Sequence, residues 1–200
     1  MKVHNLVLAS SSEYRKILLK KLQLNFISAS PNINEAALTN ENPADQALRL
    51  AHCKAKALAI AYPNHLIIAS DQVAIIGNMQ LHKPGNKKTA IQQLQQSSGK
   101  CVKFYTSICI LDTHSNTYKS DIEISSVYFK TLTDQQIKNY VLFEQPFNCA
   151  GSFKSEGLGI ALFERIESDD PNALIGLPII KLINLLKLFN VDVLSQLPSN

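Results

Sequence analysis

The feature that most constrains the fold is a short apolar run that turns straight into a helix. Residues 5–9, Asn-Leu-Val-Leu-Ala, read as a buried strand. Ser10, Ser11 and Ser12 follow, and Ser12 is placed to cap an amphipathic helix with Ile17, Leu18 and Leu22 on one face. The alternation continues. Residues 24–29 read as a second strand and 31–40 as an irregular polar stretch. Asn42, Pro43 and Asp45 mark the start of a helix, rich in Ala and Leu, that reaches about Tyr62. Residues 65–70 form an apolar run that ends in Asp71, and 73–76 carry the strand on to a Gly77-Asn78 turn. A helix is expected over 88–96, then two long strands over 102–111 and 118–129 joined by a hairpin turn at 113–116. Thr133 and Gln136 form a capping box ahead of a short helix. Residues 157–164 read as strand, and a last helix after Pro178 carries Ile179, Ile180, Ile183, Leu186 and Phe189 at helical spacing. Strands and helices intermixed in this way predict α/β or α+β architecture with short linkers.

With 200 residues, 46% of them hydrophobic, residues 1–200 are expected to form one globular unit, with room for two lobes. Cys53, Cys101, Cys109 and Cys149 show neither a Cys-x-x-Cys pair nor zinc spacing, which predicts four free thiols in a reducing compartment. No apolar run reaches the roughly 18 residues needed to cross a membrane, and the start of the chain lacks an export signal, so a cytoplasmic location without membrane partners is expected. Net charge is +4, with scattered lysines rather than a dense basic run. That argues against nucleic acid as a partner and leaves room for a basic site for a small anion.

Two segments carry chemistry. At the first helix, small hydroxyl residues stand where backbone N–H groups and the helix dipole favour an anion. Arg15 and Lys16 lie in the first turn of that helix, where cations are locally unfavourable unless an anion is bound; Arg supplies a fork for phosphate and Lys a point charge. An ordinary capping serine beside two exposed cations fits the same residues. At the second segment, Ser70-Asp71-Gln72 ends a buried strand, and a carboxylate there is costly unless something pairs with it. An Asp that only caps a turn is the plain alternative. Glu35, in the irregular stretch, is a second candidate acid, and Lys54 and Lys83 are candidate phosphate contacts that fit surface lysines equally well. A triphosphate calls for a divalent cation, and Mg²⁺ usually takes one or two carboxylates plus phosphate oxygens.

These pieces, in order, resemble the Maf-like family of nucleotide pyrophosphatases. The segments that carry the resemblance are 6–12 with Arg15 and Lys16, 51–55 with Lys54, 70–73, Lys83-Pro84, Ser98-Gly99 leading to Thr106, Ala150-Gly151 and 172–178, nearly the whole chain. The resemblance implies an α/β fold around an elongated mixed sheet flanked by helices, with a cleft between two lobes, and a homodimer. It implies cleavage of a nucleoside triphosphate between the α- and β-phosphates with Mg²⁺ or Mn²⁺. By carry-over Asp71 is the general base, Glu35 and Asp71 are the metal ligands, and Ser10, Arg15, Lys54 and Lys83 face phosphates. Three positions depart from the family's habit: Asn34 for Asp, His82 for Gly and Gln95 for Arg.

Residues 149–157, Cys-Ala-Gly-Ser-Phe-Lys-Ser-Glu-Gly, resemble the branch that acts on 7-methyl-GTP rather than the branch for dTTP and UTP. The resemblance assigns specificity to Tyr14, Gln72 and Glu156. A ring made cationic by N7-methylation favours a stacked aromatic such as Tyr14 and a nearby carboxylate such as Glu156. Plainer roles stay open: Tyr14 covering the helix start, Glu156 pairing with Lys154, Gln72 as a strand-edge amide. The same reaction on dTTP, UTP or another non-standard triphosphate is one alternative. A regulatory nucleotide-binding inhibitor of septum formation, which needs neither base nor metal, is another.

Overall fold

The structure is a computed structural model, described here for residues 5–196. Its strands are β1 (Asn5–Ala9), β2 (Phe26–Ala29), β3 (His65–Ile76), β4 (Met79–Leu81), β5 (Cys101–Asp112), β6 (Thr117–Phe129) and β7 (Phe163–Glu167). The α-helices are α1 (Glu13–Lys20), α2 (Pro43–Ala57), α3 (Lys87–Ser97), α4 (Asp134–Glu144) and α5 (Ile179–Leu188). The sheet runs β2-β1-β3-β5-β6-β7, with β4 paired to β3. β1 is parallel to both β2 and β3, whereas β4 and β7 are antiparallel to their neighbours, so the sheet is mixed as expected.

The chain forms two compact units. The first comprises residues 1–71, 106–123 and 170–200; the second comprises 72–105 and 124–169. In the first, strand parity sorts the core onto two faces. Leu6, Leu8, Leu66, Ile68, Ile108 and Ile110 pack with Leu18 and Leu19 of α1 and Leu182 and Leu186 of α5. The alternate residues Val7, Ala9, Ile67, Ala69, Cys109 and Leu111 pack with Ala51 and Ala55 of α2. Strands covered on both faces read as continuous apolar runs, which is why 6–9 and 66–69 carry no polar alternation. In the second unit Phe104, Phe129, Phe153 and Phe163 pack edge to face, with centroids 4.7–5.7 Å apart, near the preferred T-shaped geometry.

Local signals hold where they have a hydrogen-bonding mechanism. The side chains of Ser12, Asn42 and Thr133 each accept the backbone N–H three residues on, and Gln136 completes its capping box. Helix faces needed correction. Ile17 is 58% exposed, while Leu19 takes the inward place. At about 100° per residue, Ile17 lies nearly opposite the face shared by Leu18, Leu19 and Leu22. Ile180 is 48% exposed for the same reason, being nearly opposite Ile179, Leu182 and Leu186 on α5. α2 stops at Ala57 rather than near Tyr62, because the Leu58 and Ala59 N–H groups bond back to Ala55 and Lys56 in a tightened last turn. The strand expected over 157–164 is a 3₁₀ segment, Leu158–Leu162, followed by β7. Gly159 is pressed against the Lys154 carbonyl, which a Cβ would meet at 2.2 Å, and an extended run cannot make that approach. The second strand begins at Phe26 rather than at residue 24.

Candidate active site

Parity also places the chemistry of the first unit. Asp71 follows Ile67 and Ala69 in phase, so it points to the α2 face; Ser70 follows Leu66 and Ile68 to the α1/α5 face. On α2, Lys54 lies beside Ala51 and Ala55, whose small side chains bring the helix close to the sheet. Lys54 is only 6% exposed. Its ammonium lies 2.6 Å from Asp71 Oδ1 and 2.8 Å from Glu35 Oε1. Both candidate acids therefore meet at one buried cation, and Lys54 is not a surface lysine. Asp71 is likewise 6% exposed, which makes its pairing a requirement. Glu35 is the outer member, its side chain more than half exposed on the irregular stretch.

Arg15 is half-buried at the start of α1, where its Nε donates to the Gly176 carbonyl at 2.8 Å. The same carbonyl accepts the Ser70 hydroxyl at 2.8 Å. Gly176 has a φ of +122°, a conformation open to glycine. Burial lowers the Arg15 pKa, while the charges of Asp71 and Glu35 raise it. Arg15 thus belongs to the same electrostatic cluster, two cations with two carboxylates. Ser10 is buried, and its hydroxyl accepts the Ser12 N–H at 3.1 Å, so its oxygen shapes the turn into α1. Tyr14 is half-buried beside Arg15. Lys16 pairs at 3.5 Å with Glu13 on the surface, the plain reading of that residue.

The second unit holds Gln72, Lys83 and Glu156. Gln72 is half-buried, and Lys83 is exposed ahead of Pro84. Glu156 is exposed and accepts the Ser155 hydroxyl at 3.4 Å. It does not pair with Lys154. That lysine bonds the Glu144 carbonyl at 2.7 Å and the Glu144 carboxylate at 3.1 Å. The other Glu144 oxygen accepts the Leu158 N–H at 3.0 Å, and the Lys154 N–H donates to the Tyr140 hydroxyl at 3.1 Å. Ser152, fully buried, donates to Gln93 Oε1. Residues 149–159 are thus tied down on both sides of Glu156. Burial pushes the Tyr140 hydroxyl pKa well up, and the charges of Glu144 and Glu156 add to the rise. Of the three departures, His82 offers its carbonyl to Gln93 Nε2 at 2.9 Å, Gln95 bonds Asp134 at 2.7 Å, and the Asn34 side chain accepts the Ala36 N–H at 2.9 Å.

Sequence reasoning did not single out Glu144, Tyr140, the Gly176 carbonyl or Ser107, whose hydroxyl touches the Asp71 backbone. Only Ser107 had a usable signal: it sits in phase with Cys109 and Leu111, on the face that carries Asp71. All four cysteines are free thiols, and burial raises the Cys109 pKa to about 11.

An ion-paired carboxylate on a buried strand, with a lysine from the covering helix and an arginine from the first turn of α1, is a buried charge cluster in an α/β fold. The chain matches the family described as Maf-like protein over residues 5–189 and belongs to it. It is 53% identical to the 7-methyl-GTP pyrophosphatase of Pseudoalteromonas translucida, over 95% of this chain and 94% of that one. It is 51% identical to the protein of the same name from Colwellia psychrerythraea, over 96% of each. The fold resembles that of the Staphylococcus aureus Ham1 protein, with a TM-score of 0.51 and 17% identity over 93% of this chain and 97% of that chain. The family resemblance read from the sequence is borne out.

Proposed function

We propose that the protein hydrolyses 7-methyl-GTP to 7-methyl-GMP and pyrophosphate, removing a modified nucleotide from the cellular pool. The observation that carries this reading is the buried Lys54 ammonium held between Asp71 and Glu35. The names of the relatives at about half identity over nearly the full chain support the choice of substrate.

A water attacks the α-phosphorus in line, and its proton passes to the Asp71 carboxylate. The bond from the α-phosphorus to the bridging oxygen breaks, and pyrophosphate leaves with that oxygen. Arg15 presents its fork to phosphate oxygens. Lys54, with three donors of which two meet carboxylates, and Lys83 stabilise the negative charge that collects on the leaving group. Ser10 fixes the turn that presents backbone N–H groups to the phosphates.

Glu35 and Asp71 are chemically suited to a hard divalent cation. Both carboxylates stand close to one ammonium, 2.8 Å for Glu35 and 2.6 Å for Asp71, an open pair that would hold Mg²⁺ or Mn²⁺ together with substrate oxygens. Such a cation would neutralise phosphate charge and acidify a bound water. For the base, Tyr14 supplies a face for the cationic ring, Glu156 accepts from the guanine N1 and N2 edge, and Gln72 fixes the pose. The protein is proposed to act as a cytoplasmic homodimer without nucleic-acid or membrane partners. Four free thiols suit a reducing compartment, and no helix among the described residues is long and apolar enough to cross a membrane.

The reaction is tested by product analysis. Purified protein with 7-methyl-GTP and Mg²⁺ or Mn²⁺ should give 7-methyl-GMP and pyrophosphate in equal amounts. Release of orthophosphate and a diphosphate would contradict cleavage at the α-phosphorus.

A further inference from the structure

Ser107 lies on β5 with no exposed surface, in phase with Cys109 and Leu111 on the α2 face. Its hydroxyl touches three backbone groups. It lies 2.6 Å from the Ala47 carbonyl of α2, accepts the Asp71 N–H at 3.3 Å, and sits 3.3 Å from the Asp71 carbonyl. A hydroxyl has one proton and two lone pairs. The short contact takes the proton, so Ser107 donates to Ala47 and accepts from Asp71. The two groups it joins belong to the two elements that build the ion pair. Ala47 is two helical turns before Lys54 on the buried side of α2, and Asp71 is the other partner. A main-chain carbonyl in the middle of a helix already accepts its own intrahelical bond, so this second donor is not needed to satisfy the helix. What the contact adds is a fixed offset between α2 and the Asp71 peptide.

We propose that Ser107 is a positioning residue for the reaction: through Asp71 N–H, Ser107 Oγ and Ala47 C=O it sets where the Asp71 carboxylate stands relative to Lys54. This rests on Asp71 being the base. Ser107 has no exposed surface and its hydroxyl meets main-chain groups of Ala47 and Asp71, so its removal misplaces Asp71 without removing a side chain that a substrate could reach. Displacements near 1 Å at a reacting group can cost about 100-fold in rate. The expected signature is therefore loss of kcat with little change in KM.

The test uses the full chain, 7-methyl-GTP, and the variants Ser107→Ala, Ser107→Thr and Asp71→Asn. Rates are normalised to the fraction of protein that binds a non-hydrolysable triphosphate analogue. Ser107→Ala should lose roughly 10- to 100-fold in kcat with KM within about 2-fold of the parent. Ser107→Thr, which keeps the hydroxyl, should retain most of the parent kcat. Parent kcat in the alanine variant, or an equal loss in alanine and threonine variants, overturns the proposal. So does loss of nucleotide binding together with cooperative unfolding in the alanine variant, because the hydroxyl is then a requirement of the fold alone. Asp71→Asn separates the two readings. If it turns over normally, the base assignment fails. If it is inactive while Ser107→Ala is unaffected, only the positioning role fails.

Discussion

The two compact units use buried polar groups in opposite ways. The first buries charge: Lys54 and Asp71 are paired well inside it, with Arg15 in the same field. Replacing such a pair by apolar residues is often neutral or stabilising in proteins, so an ion pair kept in a core is weak evidence for stability and better evidence for use. The second unit buries an aromatic cluster and neutral partners, Ser152 with Gln93 and Tyr140 with the Lys154 N–H. A partly buried charged pair there, Lys154 with Glu144, is an anchor for residues 149–159, and Glu156 stays outside that anchor. One unit holds a buried, ion-paired carboxylate; the other holds a loop in place.

The comparison can be broken by substitution. Asp71→Asn should lower kcat by about 100- to 10,000-fold while nucleotide still binds, as removal of a general base requires. Pyrophosphate release close to the parent rate would remove Asp71 from that role. Lys54→Ala should cost about 3–5 kcal/mol of unfolding free energy, since it leaves Asp71 buried without its cation. A shift below about 1 kcal/mol in urea unfolding would mean that the pair is solvated in solution. Glu144→Ala should cost roughly 1–3 kcal/mol by stripping the Leu158 N–H and Lys154 of their acceptor. It should also raise protease sensitivity within residues 149–159. Glu156→Gln should leave stability within about 0.5 kcal/mol, as an exposed site does. It should narrow the preference for 7-methyl-GTP over GTP. An unchanged substrate ratio would leave Glu156 without a role in selecting the base.

How much of this was legible depends on what the signal was made of. β1 and β3 were readable because both faces are buried, which leaves an uninterrupted apolar run. Caps were readable because Ser12, Asn42 and Thr133 each satisfy a backbone donor locally. Ile17 and Ile180 were misplaced because each was grouped with its apolar neighbour in sequence, although a step of about 100° carries it away from the face that Leu19 and Leu182 complete. The strand expected at 157–164 failed because the Lys154 carbonyl, packed against Gly159, imposes the turn. For the site, residue types and order pointed to Asp71, Glu35 and Lys54, but their meeting at one ammonium depends on a helix closing over the sheet. That contact spans 17 residues between Lys54 and Asp71 and leaves no periodic trace. Glu144 had no signal at all, since its importance comes from a loop folding back onto the end of α4.

Pyrophosphate release across a substrate panel tests the central claim most directly. With Mg²⁺ or Mn²⁺, the purified protein should show a higher kcat/KM for 7-methyl-GTP than for UTP, dTTP or GTP. Equal or reversed values would contradict the assignment of the base.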